Sequence, residues 1–154
     1  DAVLAADVPL EEAPRFVDAA RAAGVAPGFV ASRLSSDERL DRIKALGEGY
    51  VYLVGHVGVT GERTELDVDL RELIERVRNR TGLPVLVGFG ISAPDQVQRV
   101  IEAGADGAIS GSAIVRRIDQ HHQDQDLCAR QLGEFAAAMK KATLPLGDTS
   151  CSSS

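Results

Sequence analysis

The chain has 154 residues, 44% hydrophobic and 26% charged, the balance of a folded globular domain and not of a disordered segment. A formal net charge of −6 argues against sequence-blind nucleic-acid binding, which needs a positive surface, and Cys128 and Cys151 make neither a disulfide framework nor a metal-ligand spacing. No apolar run reaches the roughly 18 residues of a membrane helix and no signal peptide opens the chain, so the expectation is a reduced, cytoplasmic protein without a membrane or nucleic-acid partner.

Aromatics are only 4% and Trp is absent, whereas Gly numbers 15. A core of small and branched aliphatics is the kind that parallel sheets use. Ala2 to Ala6 reads as a short buried strand. Leu10, Ala13, Phe16, Val17 and Ala20 then fall at helical spacing, with Gly24 as the stop. Gly28 to Ala31 is a weak second strand. Ser35-Ser36-Asp37-Glu38 reads as a capping box ahead of Leu40, Ile43 and Leu46. Tyr50 to Val54 is a strong strand by β-branched and aromatic content. Residues 55–68 form a glycine-containing loop longer than the usual βα connection. Asp69 reads as the cap of the helix that carries Leu70, Leu73, Ile74 and Val77.

Leu83 to Val87 is the fourth strand, followed by Gly88-Phe89-Gly90-Ile91. Ser92 is expected to cap the next helix, with Pro94 in its first turn and Gly104 as its stop. Gly107 to Ser110 is the fifth strand, and Gly111-Ser112 leads into a short helix over residues 113–118. A polar stretch over residues 120–125 precedes a last helix, Gln125 to Ala142, anchored by Leu127, Leu132, Phe135 and Met139. Residues 1–143 read as one α/β domain and 144–154 as a disordered polar tail.

Strict alternation of strand and helix specifies a parallel sheet. Two closures remain open at this level: a doubly wound sheet, or part of a (β/α)8 TIM barrel, whose complete form needs eight units where this chain has five.

Two glycine-containing loops follow consecutive late strands, and the second opens a helix. Free N–H groups at such a helix start favour an anion, and glycine lets a phosphate oxygen approach the backbone. The bland alternative is that these glycines only turn tight corners. Gly58-Val59-Thr60-Gly61, in the long loop, has the composition of a lid or of an ordinary surface loop.

These segments resemble the α subunit of tryptophan synthase. The resemblance rests on Gly58 to Gly61, on Gly88 to Pro94 and on Glu102 to Val115, in matching order and spacing. Leu4-Ala5-Ala6-Asp7-Val8-Pro9 is similar to that family's fourth barrel strand. The likeness runs from about Asp1 to Ala142. It implies a partial (β/α)8 TIM barrel of about five units, strands four to eight, with an extra short helix before the last. It implies the activity of a lyase of tryptophan biosynthesis, the retro-aldol cleavage of indole-3-glycerol phosphate to indole and glyceraldehyde 3-phosphate. It implies no cofactor and no metal, and a β subunit as partner.

By the same resemblance, Gly61, Phe89, Gly90, Gly111 and Ser112 hold the substrate phosphate. Thr60 sits on the mobile lid, Tyr52 lines the site beneath it, and Asp7 faces the β subunit. The family's catalytic glutamate and aspartate fall N-terminal to Asp1, so no catalytic residue is expected in these 154 residues, which carry the phosphate half of the site. Two segments depart from the pattern: Val54-Gly55-His56-Val57, where a serine-containing run is commoner, and Ser32-Arg33-Leu34-Ser35, where proline and threonine are. The rival reading is a non-catalytic phosphate-binding or interaction half-barrel, completed by a partner or by self-association through its open edges. Another phosphate-binding barrel of amino-acid biosynthesis fits less well, because of the Gly-Val-Thr-Gly segment.

Other polar groups read more simply. His56 is expected to be a solvent-facing lid residue, and His121-His122 lack a ligand set. Glu62, Glu65, Asp67 and Asp69 suit a solvated face. Arg116 and Arg117 suit pairing with surface carboxylates, and Cys128 has no visible partner.

Overall fold

In a computed structural model, residues 1–4, 6–55, 65–88 and 90–144 are described, with the backbone alone for 65–68. Five strands alternate with six helices among them: β1 (Ala2–Leu4), α1 (Ala13–Ala22), β2 (Ala26–Ser32), α2 (Asp37–Leu46), β3 (Val51–Val54), α3 (Glu65–Thr81), β4 (Val85–Gly88), α4 (Pro94–Glu102), β5 (Gly107–Ile109), α5 (Ser112–His121) and α6 (Gln125–Lys141).

The strand order decides between the two closures. Each strand pairs in parallel with the next in the chain, in the order β1-β2-β3-β4-β5. A doubly wound sheet reverses its order at a switch point, and this sheet never does. Right-handed crossovers that always step the same way leave every helix on one face. Accordingly α1 touches α2, α2 touches α3, and these helices pack on the strands beside them. The result is a wall of five βα units, a partial (β/α) barrel.

Residues paired across the ladders share a face. Phe29, Val51 and Val85 form one row, and Ala31, Leu53 and Val87 the next. All six are at most 2% exposed. They pack against Val17, Leu40, Ile43, Ile74, Val77, Val97 and Val100 from the helices. Phe16 meets Phe29 edge to face, ring centroids 6.2 Å apart, a favoured aromatic geometry. The other face carries the rows Val30-Tyr52-Leu86-Gly107 and Ser32-Val54-Gly88-Ile109, most of them half-buried.

Several elements differ from expectation for local reasons. β1 is an edge strand and not a buried one, with Val3 38% exposed. β2 runs through seven residues because Ala26 and Pro27 extend its pairing with β1. Ser36 alone caps α2, accepting from Arg39 N at 3.3 Å, because Arg39 and not Glu38 occupies the third helical position. Ser35 is buried instead and accepts from Ser32 N at 3.0 Å. The third helix begins at Glu65, so Asp69 lies within it and pairs with Arg33 at 3.4 Å. α5 continues to His121, which shortens the expected break, and Asp124 caps α6 by accepting from Leu127 N at 2.9 Å. Among the described residues Arg117 pairs with no carboxylate: its guanidinium stacks on Phe135, 3.8 Å from the ring centroid, and donates to the Ala113 carbonyl at 2.9 Å. The expected tail beyond Leu144, and His56, lie outside the described residues.

At the lower end of the sheet Asp106 clamps β4 to β5. Its Oδ2 accepts from Val85 N and from Arg78 Nη2, both at 2.8 Å. Arg78 also donates to the Gly104 carbonyl. Burial tends to raise the Asp106 pKa, but the Arg78 guanidinium and the Val85 N–H outweigh it and hold the carboxyl below its ordinary 3.8. A carboxylate held low stabilises the fold above that value, and the contribution fades as pH falls through the folded-state value. We expect Asp106→Ala to cost about 1–2 kcal/mol at pH 7, since it strands a buried strand N–H beside a partly screened arginine. The gap from the parent, followed by urea unfolding, should narrow below about pH 4; an equal penalty at pH 7 and pH 3 would remove the charge from the account.

Candidate functional site

All five strands run the same way, so their C-terminal ends and the loops that follow share one rim. Ligands of parallel α/β proteins bind at that rim. β4 ends at Gly88 and β5 at Ile109, and the loops beyond them carry Gly90-Ile91 and Ser110-Gly111-Ser112.

The two loops meet. Ser110 Oγ donates to the Ile91 carbonyl at 2.7 Å. Gly90 has φ +77° and is exposed, a backbone conformation that suits glycine and turns the chain at the rim. Ile91 beneath it is 3% exposed and fastens the loop to the core. Beyond it, Gln96 Oε1 accepts from Ser92 N at 2.8 Å, Ala93 N at 3.1 Å and Ser92 Oγ at 3.2 Å. The cap of α4 is therefore Ala93, with Gln96 at the third helical position reaching back, and not Ser92 as expected.

Gly111 is the N-cap of α5 and Ser112 its first residue; both are exposed. Ile114 N and Val115 N bond to the Gly111 carbonyl at 2.9 and 3.1 Å. The N–H groups of Ser112 and Ala113 precede the first intrahelical bond, so they point out of the helix end with the positive end of its dipole. With the Ser112 hydroxyl they form a donor set for an oxyanion.

Tyr52 stands on the inner face of β3, two residues before Val54, the ladder partner of Gly88. Its ring crosses onto Gly88. A Cβ there would lie 2.5 Å from Tyr52 Cε2 and from its hydroxyl. Gly88 is thus glycine because Tyr52 occupies its side-chain space, a reason distinct from phosphate approach. Leu86 repeats the arrangement one strand along, 2.8 Å from where a Gly107 Cβ would be.

Of the expected site residues, the structure places Tyr52, Gly90, Gly111 and Ser112 at the same rim. Asp7 is exposed in the turn after β1, two strands from Tyr52. Thr60, Gly61 and Phe89 lie outside the described residues. Ser110 and Gln96 were missed by sequence reasoning. Gln96 had a legible signal, a glutamine three residues after a helix start. Ser110 had none, since its bond reaches 19 residues back. The described groups offer backbone N–H donors and hydroxyls, the chemistry of anion binding.

The family model for the tryptophan synthase alpha chain matches residues 1–144. The chain belongs to the tryptophan synthase alpha chain family. Tryptophan synthase alpha chains of Vibrio parahaemolyticus and Vibrio cholerae are 46% and 47% identical to it over 143 residues, 93% of this chain and 53% of each relative. The fold is also that of a mutant tryptophan synthase alpha-subunit from Pyrococcus furiosus, with TM-score 0.73 and 31% identity, covering 92% of this chain and 55% of that one. A chain from the tryptophan synthase α2β2 complex of the same organism matches with TM-score 0.74 and 31% identity, covering 92% and 56%. The chain spans about half the length of the curated relatives it matches.

The Tyr52–Gly88 contact makes a measurable claim about this family member. Gly88→Ala should lose about 1–3 kcal/mol in urea unfolding through overpacking. Tyr52→Ala in the same chain should recover a large part of that loss, a coupling of about 1 kcal/mol or more. Additive penalties would show that the ring is not what excludes a side chain at residue 88.

Proposed function

We propose that this chain carries the phosphate-anchoring side of an indole-3-glycerol phosphate lyase in tryptophan biosynthesis. Membership of the alpha chain family supports the substrate and the reaction, retro-aldol cleavage to indole and glyceraldehyde 3-phosphate. The observation that carries the site is the meeting of the Gly90 loop with the start of α5, tied by Ser110 and Ile91. In this reading the N–H groups of Ser112 and Ala113, the Ser112 hydroxyl and the backbone at Gly90 hold the phosphate. The family resemblance assigns Phe89 and Gly61 to phosphate binding as well, and Thr60 to the family's lid segment.

Phosphate held at one end orients the rest of the substrate over the inner face of the sheet, where Tyr52 stands. Positioning of this kind is a large part of catalysis for a cleavage reaction. The acid–base carboxylates that the reaction needs are assigned to none of these residues. Asp7, exposed in the turn after β1, is assigned in this reading to the side that faces a β subunit, the receiver of the indole. No described helix is long and apolar enough to cross a membrane. Membership of a biosynthetic enzyme family supports a cytoplasmic setting.

Titration of the 15N-labelled chain with glycerol 3-phosphate should shift the amide signals of Gly90, Gly111, Ser112 and Ala113, with a Kd on the order of millimolar. Ser112→Ala should raise that Kd about fivefold, the equivalent of one hydrogen bond. The 154 residues alone should release no indole from indole-3-glycerol phosphate. Shifts confined to other residues would move the site, and indole release would place acid–base groups within this chain.

A further inference from the structure

We propose that Ser110 is a positioning residue that couples the two phosphate loops into one site. The inference rests on the phosphate reading above and adds a role for a residue that does not itself face the anion. Ser110 precedes Gly111 and Ser112, and its hydroxyl donates at 2.7 Å to the carbonyl of Ile91, which follows Gly90. One hydrogen bond therefore joins the residue before one set of donors to the residue after the other.

The opposite side of the same loop is held as well. Gln96, 7% exposed, accepts from Ser92 N and Ala93 N. The Ile91 side chain is buried. Successive backbone groups of residues 91–93 are thus engaged from two directions: the Ile91 carbonyl by β5's extension, the next two N–H groups by α4. Gln96 belongs to the loop's own helix and fixes only its local shape. Ser110 alone of the two comes from the neighbouring βα unit, so it sets the spacing between Gly90 and the α5 terminus.

A backbone anion site depends on that spacing more than a side-chain site does. An arginine or lysine can follow a displaced phosphate through its rotamers, but N–H groups move only with their loops. Without the Ser110 bond, the β4–β5 ladder would still hold the two loops at their bases, up to the Gly88–Ile109 pair, but their tips would lose alignment with each other. The anion would then meet one donor set at a time.

The test compares Ser110→Thr with Ser110→Val in the full 154-residue chain, side chains of equal shape that differ by the hydroxyl, with Ser110→Ala as a smaller third variant. Binding of glycerol 3-phosphate is read from amide shifts. Thr should keep the parent Kd and keep the Gly90 and Gly111–Ala113 signals moving together. Val should raise the Kd about fivefold, one hydrogen bond's worth of alignment, and should split the response so that one loop shifts without the other. Signals from β3 and from the Val85–Val87 part of β4 report that the fold is retained. Equal binding by Thr and Val, with the parent also binding, would overturn the role of Ser110 and leave the phosphate site standing. Absence of shifts in the parent itself would overturn the phosphate site and this inference with it.

Discussion

Every strand of this sheet pairs with the strand that follows it, in the same direction. That single constraint places the rest. It commits all the crossovers to one face, so the helices cover one side of the sheet and touch their neighbours in sequence. It sends every strand's C-terminal end to one rim. There, loops far apart in the chain become adjacent, and two of them meet through a hydrogen bond that spans 19 residues. A strand order with one reversal would have put a helix where the inner face now stands.

The two faces of the sheet then have different work to do. The helix face is closed, with rows of branched aliphatics almost entirely removed from water. The inner face is built by leaning, not stacking. Tyr52 lies over Gly88 and Leu86 over Gly107, each large side chain filling the space that the next strand leaves empty. Glycine at those two positions is therefore a packing requirement set by a neighbour. It also leaves the Tyr52 ring against the last residue of β4.

How much of this was legible follows the range of each interaction. Alternation of strand and helix was plain, because periodicity and stop signals are local. The start of α3 was not, since Glu65-Leu66-Asp67-Val68-Asp69 alternates charged and apolar residues, a period of two and not a helical one. Nor was the exposure of β1, because Ala-Val-Leu reads the same on an edge as under a helix. The choice between barrel and doubly wound sheet could not come from the pattern, which both share; it needed the pairing of strands. The site divided in the same way. Gly111-Ser112 at a helix start was readable from residues side by side. The reason for Gly88 lies 36 residues away in Tyr52, and the sequence around Gly88 is equally consistent with a tight corner or a phosphate cradle.

In the proposed phosphate site the donors belong to the backbone, which moves the chemical information away from the residues that would touch the ligand. Gly90 and Gly111 contribute no side chain, and what they contribute depends on where their peptide planes point. That orientation is set by groups that face elsewhere: Ile91 in the core, Gln96 against two N–H groups, Ser110 against a carbonyl. Substitutions at such residues would leave the list of ligand contacts unchanged and still alter binding, through alignment. The loops that carry the donors are held by a hydrogen bond between them and by the closed helix side.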